Sequence, residues 1–160
     1  MSLLNPPLER MFFMTFTVDL KKFAEKTNKE VIAVIKEVSI DLFSEIINET
    51  PIGDPSLWKS EPPSDYVPGS LQSNWQCSLE TPESGKLTAI TSGQTTISAM
   101  ESVVMSARSG QTIYLANNLP YAERIEYLGW SHMQKPEGMV RVSIAKFQNK
   151  LSSAVAKVAA

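Results

Sequence analysis

The sequence predicts an α+β fold: a small antiparallel sheet with two long helices packed on one face, plus a proline-rich loop. Three observations predict it. "MFFMTFTV" alternates strand-forming residues with a two-residue period. Two separate stretches repeat apolar residues every three or four positions, the mark of a helix with one buried face. Between Thr50 and Gly69, five prolines fall within twenty residues, which excludes helix interior and central strand alike.

At 160 residues the chain has the length of one ordinary domain, and we read residues 1–160 as a single domain with 50–69 as an ordered proline-rich loop. Apolar residues make up 42% and charged residues 20%, a balance that predicts a packed core and not a disordered chain.

In chain order, Phe12, Met14, Phe16 and Val18 define the first strand. Asp19 is placed to cap a long helix reaching about Asn48, whose stripe runs Leu20, Ala24, Thr27, Val31, Val34, Ile35, Val38, Leu42, Phe43 and Ile46. On its outer face Glu25 and Lys29 have the favourable i, i+4 order. Pro51 disfavours helical geometry at Thr50 and ends the helix. In the proline-rich loop, Trp58 and Tyr66 argue for an ordered excursion pinned by its aromatics.

Leu71, Ser73, Trp75, Cys77 and Leu79 alternate with Gln72, Asn74, Gln76 and Ser78 as a half-buried strand, and "KLTAITS" is the candidate hairpin partner. Ile97, Met100, Val104 and Ala107 mark a shorter helix stopping at Gly110. "QTIYLAN" reads as a strand and "PYAERIEYL" as a short helix with Pro120 in its first turn. Val140, Ile144, Phe147, Leu151, Val155 and Val158 form the second long stripe, on a helix from about Pro136. Val34, Val38, Phe147 and Leu151 are the expected core positions on the two long helices.

Fifteen Lys and Arg against seventeen Asp and Glu give a net charge of −2 with no basic run, so the stripe that tracks a nucleic-acid backbone is missing. The lone cysteine, Cys77, allows neither an internal disulfide nor a cysteine zinc site within one chain and fits a reducing compartment. It sits on the apolar face of its strand, where an inert core thiol is expected. No signal peptide or run of about twenty apolar residues is present, so neither secretion by a cleaved signal nor membrane insertion is expected.

Catalytic constellations are sparse. His132 is the single histidine, without a nucleophile elbow, and a hydrolase would have to pair it with Glu123 or Glu126. Those two glutamates sit three apart on a short helix, where such pairs are commonly solvated surface. Asp54 and Asp65 fit turn residues, and no phosphate-cradling glycine motif occurs. We expect no cofactor and no metal.

The densest segment, "YLANNLPYAERIEYLGWSH", gathers aromatics, asparagines, charges and the histidine. With "DLKKFAEK", "VIKEVSIDLFSEII", "TPIGDPSLWK", "YVPGSLQSNW" and "GMVRVSIAKFQ" in the same order, it resembles the neck and tail-completion proteins of long-tailed bacteriophages, often described as minor tail or head-tail joining proteins. These blocks cover about Asp19 to Gln148, and the run Asn-Asn-x-Pro-Tyr-Ala ahead of Glu-Tyr and Gly-x-Ser is the most specific part.

The resemblance implies a non-enzymatic virion protein of the neck or head-proximal tail end, made in the host bacterial cytoplasm. It would assemble as a homo-oligomeric ring, a hexamer or dodecamer, between connector or portal-side proteins and tail-tube or tail-terminator proteins. No membrane and no sequence-specific nucleic acid is expected among its partners. On this reading the partner-interface candidates are Trp58, Tyr66, Asn117, Asn118, Pro120, Tyr121, Glu123, Arg124 and Trp130.

Overall fold

A computed structural model describes residues 14–19, 29–62, 64 and 66–159, with side chains described within 32–149. Three strands, β1 (Met14–Asp19), β2 (Trp75–Leu79) and β3 (Thr112–Asn117), form an antiparallel sheet in the order β1-β3-β2. The strand that comes last in sequence is therefore central. Its composition suits that place: Ile113, Leu115 and Ala116 are all fully buried, as a strand covered on both faces requires.

Among the described residues, five α-helices accompany the sheet: α1 (Lys29–Glu49), α2 (Ser70–Ser73), α3 (Gly93–Ser106), α4 (Ala122–Tyr127) and α5 (Val140–Ala159). α3 packs on β2 and on α1, and α5 lies along α1. The core between them consists of Leu42, Phe43, Ile46 and Ile47 from α1, Ile97, Met100 and Val104 from α3, and Trp75, Ile113 and Leu115 from the sheet, closed by Met139. Burying an aliphatic side chain of this size contributes about 1.5–3 kcal/mol, so this cluster dominates the stabilisation.

The helix boundaries follow from local chemistry. Ser92 caps α3, its hydroxyl accepting from Thr95 N at 3.2 Å. At the end of α1, Thr50 Oγ1 donates to the Ile46 carbonyl at 2.7 Å and accepts from Trp75 Nε1 at 2.7 Å. One hydroxyl thus terminates the helix and ties it to the sheet.

Several expected boundaries are corrected. Asp19 pairs with Thr112 as the last residue of β1, and the helix start it was expected to cap lies outside the described residues. The helix is described from Lys29, and Phe12, Leu20, Ala24, Thr27 and Glu25, with the side chains of Lys29, Val31, Leu151, Val155 and Val158, lie outside what the structure describes. Val34 is 55% exposed and not core, because the buried face of α1 is set by Leu42, Phe43, Ile46 and Ile47.

Ser73 belongs to the single turn α2 and not to the strand: Gly69 at φ 85° opens that turn and the Ser73 amide bonds back to the Gly69 carbonyl at 3.0 Å. "KLTAITS" forms no strand, and β2 pairs with β3 instead of with it. α3 ends at Ser106, four residues before Gly110, and α5 begins at Val140, four after Pro136. Trp75 is buried, and Cys77 and Leu79 pack against the core, as the strand alternation requires.

Candidate functional site

The sheet register puts the first residue of β1, the first of β2 and the last of β3 in one row, Met14 paired with Asn117 and Asn117 with Trp75. The "NNLPYAERIEYLGWSH" segment leaves the sheet from this row. Asn117 is 1% exposed; its Nδ2 donates to the Leu71 carbonyl at 2.8 Å and its Oδ1 accepts from Leu119 N at 3.3 Å. Such a side chain shapes the chain's exit from the sheet and presents nothing to a partner.

Asn118 points to the other face. Its Nδ2 donates to the carbonyls of Glu83 and Gly85 at 2.8 and 3.0 Å, while its buried Oδ1 has no partner. Asn74 exchanges two bonds with the Leu87 backbone, at 3.1 and 2.8 Å, and Gln76 Nε2 donates to the Gly85 carbonyl at 2.7 Å. Residues 80–92, without regular structure, are therefore held as a strap by the side-chain amides of Asn118, just past β3, of Asn74, just before β2, and of Gln76 within it. The regular spacing of polar residues that predicted a solvated strand face supplies these tethers instead.

α4 follows, entered through the exposed Pro120 and through Tyr121, which packs against the core. Its two glutamates have separate environments. Glu123 is half-buried, whereas Glu126 is 1% exposed, contrary to the expected solvated pair. Glu126 Oε2 accepts from Met139 N and Val140 N at 2.6 and 3.0 Å, and Oε1 accepts from Arg141 N and Nε at 2.9 and 3.2 Å. Arg141 also donates from a terminal nitrogen to the Glu126 carbonyl oxygen.

The carboxylate is thus the cap of α5, supplied by a residue thirteen positions upstream of Met139 and placed where the helix dipole favours negative charge. Gly138, at φ 91°, permits the close approach: a Cβ there would stand 2.7 Å from the Glu126 carbonyl oxygen.

From the last residue of α4 toward α5 the chain exposes large apolar groups: Tyr127, Leu128, Trp130 and Met133 are each more than half exposed. Arg124 lies 4.4 Å above the Trp130 ring centroid and Arg141 5.2 Å from that of Tyr127, cation–π contacts that hold the rings at the surface. His132 is exposed in the same turn.

This turn meets the start of the proline-rich loop. Gln134 Nε2 donates to the Ile52 carbonyl at 3.3 Å, and Lys135 pairs with Glu49. Within the loop, Asp54 caps a 3-10 turn at Pro55–Leu57 by accepting from Ser56 N at 2.9 Å and Ser56 Oγ at 2.7 Å. These bonds, the hydroxyl's first, hold its carboxyl below the usual range.

Trp58 and Tyr66 pack on each other, ring centroids 4.6 Å apart, over Gly53. A side chain at Gly53 would run into the Tyr66 hydroxyl and approach the Trp58 ring to 3.1 Å. Burial pushes the Tyr66 phenol up, as does the Asp54 charge, opposed by a hydrogen bond with the Gly53 backbone. The loop is thereby pinned by its aromatics, with Trp58 38% exposed and Ile52, Leu57 and Val67 more open still.

Of the sequence-predicted interface residues, Trp58, Arg124 and Trp130 lie at the surface, Tyr66, Tyr121 and Glu123 are half-buried, and Asn117 is internal. Sequence reasoning missed Glu126 as a cap and Ile52, Leu128 and Met133 as exposed groups. Among the described residues no cluster of three or more His, Cys, Asp or Glu could hold a metal, and no helix is long and apolar enough to cross a membrane. Comparison with protein-family models, with curated proteins and with solved structures returns no match to this chain.

Proposed function

We propose that the chain is a virion structural protein of the phage neck or tail-completion type, which joins head connector and tail by assembling as a ring. The reading begins from the resemblance of the "NNLPYAERIEYLGWS" and "TPIGDPSLWK" blocks. One observation supports it: the turn that follows the first block bonds to the second block through Gln134 and Ile52, and along these two stretches Ile52, Leu128, Trp130 and Met133 are exposed. Scattered exposed apolar residues are ordinary, but a group of them on two joined loops is what a contact surface needs.

The alternative, a hydrolase using His132 with Glu123 or Glu126, draws no support at Glu126, because both of its carboxylate oxygens accept bonds from the start of α5. Glu126 serves the scaffold.

The test uses Leu57 and Val67, exposed on the proline-rich loop. Leu57→Asp with Val67→Asp is expected to give a folded protein with nearly unchanged melting temperature that fails to complete head-tail joining in a phage complementation assay. Normal phage yield from this variant and from Trp58→Ala would overturn the assignment of the loop to assembly.

A further inference from the structure

Two surfaces of the chain carry opposite charge beside exposed apolar groups. The first lies on α4 and the turn that follows it. Arg124, Tyr127 and Leu128 share one side of a helical turn by their spacing of three and four. The Arg124 carbonyl accepts from Leu128 N at 3.0 Å and from Trp130 N at 3.3 Å, which draws Trp130 to the same place. Arg124 stacks on Trp130 and Arg141 on Tyr127, so these side chains form one surface with both rings more than half exposed.

A guanidinium whose face lies on a ring keeps its edge N–H groups for a carboxylate. Arg141 directs its own to Glu126. Arg124 is exposed and, among the described residues, forms no ion pair.

The second surface is on α1. Val34, Glu37 and Asp41, three and four apart, lie on one side of that helix and are all exposed. Among the described residues Glu37 and Asp41 form no ion pair either, whereas Glu45 and Glu49 further along the helix meet lysines. Lys135, in the turn after Trp130, is tied to Glu49 at the end of α1. Asp41 and Glu37 stand back along the helix from Glu49 by about 12 and 18 Å. Opposite charges set apart on one chain can meet on two, and such a head-to-tail contact repeats from copy to copy and closes into a ring where the rotation allows.

We propose that the Arg124–Trp130 surface of one copy binds the Val34–Glu37–Asp41 side of α1 on a second copy. The Arg124 guanidinium donates to the α1 carboxylates, and Trp130, Leu128 and Val34 leave water together. The inference rests on the proposed ring and names the contact between its subunits.

Sedimentation of the full chain over a range of concentrations tests it. The native protein should self-associate, less strongly as salt rises, because exposed charges are screened. Arg124→Glu alone, and Glu37→Lys with Asp41→Lys, should each weaken association at least about tenfold by setting like charges opposite each other. Melting temperatures should stay nearly unchanged, since all three side chains are exposed. Mixing the two variants should restore association, because each supplies the charge the other has lost.

A native chain that stays monomeric up to about 1 mM overturns the inference. Association that Arg124→Glu leaves intact, or that mixing fails to restore, does so too. None of these results touches the neck assignment, which the Leu57/Val67 phage assay decides; failure there beside charge-dependent self-association would remove the neck reading and keep the contact. Should Arg124→Glu fail to fold, Arg124→Gln and Trp130→Ala take its place: weaker association in both supports the contact, and unchanged association in either refutes it.

Discussion

Glu126 shows how one residue can take a structural role that its neighbours in sequence do not announce. A carboxylate on a short exposed-looking helix is ordinarily solvated, yet this one is 1% exposed and receives three backbone amides and the Arg141 side chain. Removing it leaves those donors at the start of α5 without acceptors. Glu126→Ala should therefore lower stability by about 2–4 kcal/mol in urea unfolding, the cost of a lost cap plus a buried unsatisfied donor. Glu126→Gln, which keeps one acceptor oxygen, should lose less. Cys77 gives the opposite case, a reactive group silenced by place: burial raises its thiol to about 12. At pH 8 it should resist iodoacetamide in the native protein and be alkylated promptly in denaturant.

At the scale of elements, charge ties α1 to the α4–α5 connection and to α5. Glu49 pairs with Lys135 and lies 3.4 Å from Lys146, which also approaches Glu45 at 3.7 Å. The hydrogen bond from Lys135 is the main cause holding the Glu49 carboxyl below its ordinary value, with the charges of both lysines acting the same way against partial burial. A depressed native value means the contribution is fully present above the unfolded-state value and fades as pH falls through the native one. The stability difference between the native sequence and Glu49→Gln, followed by urea midpoints from pH 6 to pH 3, should therefore shrink on acidification. A difference that grows would contradict the pairing.

For the whole molecule, the order β1-β3-β2 makes the last strand the keystone. β3 is bonded on both edges, faces the helical core through Ile113 and Leu115, and carries Ala116, also fully buried, at the opposite alternation. Opening it requires separating both neighbours, so its amides should exchange only through global unfolding. Hydrogen exchange should rank the amides of Ile113 and Leu115 among the slowest, and those of the strap at residues 83–90 among the fastest. Equal rates in the two segments would show that the strap and sheet open as one unit.

The sequence by itself determined what depends on local periodicity. The strands at Met14–Asp19 and Thr112–Asn117 and the helices at α1, α3 and α5 were legible because backbone geometry fixes which residues share a face, and the two aromatics of the proline-rich loop do pack on each other. Tertiary structure decided what depends on residues far apart in the chain. No spacing rule links Glu126 to Met139 or Asn74 to Leu87, because a buried polar group takes whatever partner the packing brings to it. The junction of Ile52 with Gln134 was likewise invisible in sequence, since eighty-two positions separate them and only the folded core brings the two loops together.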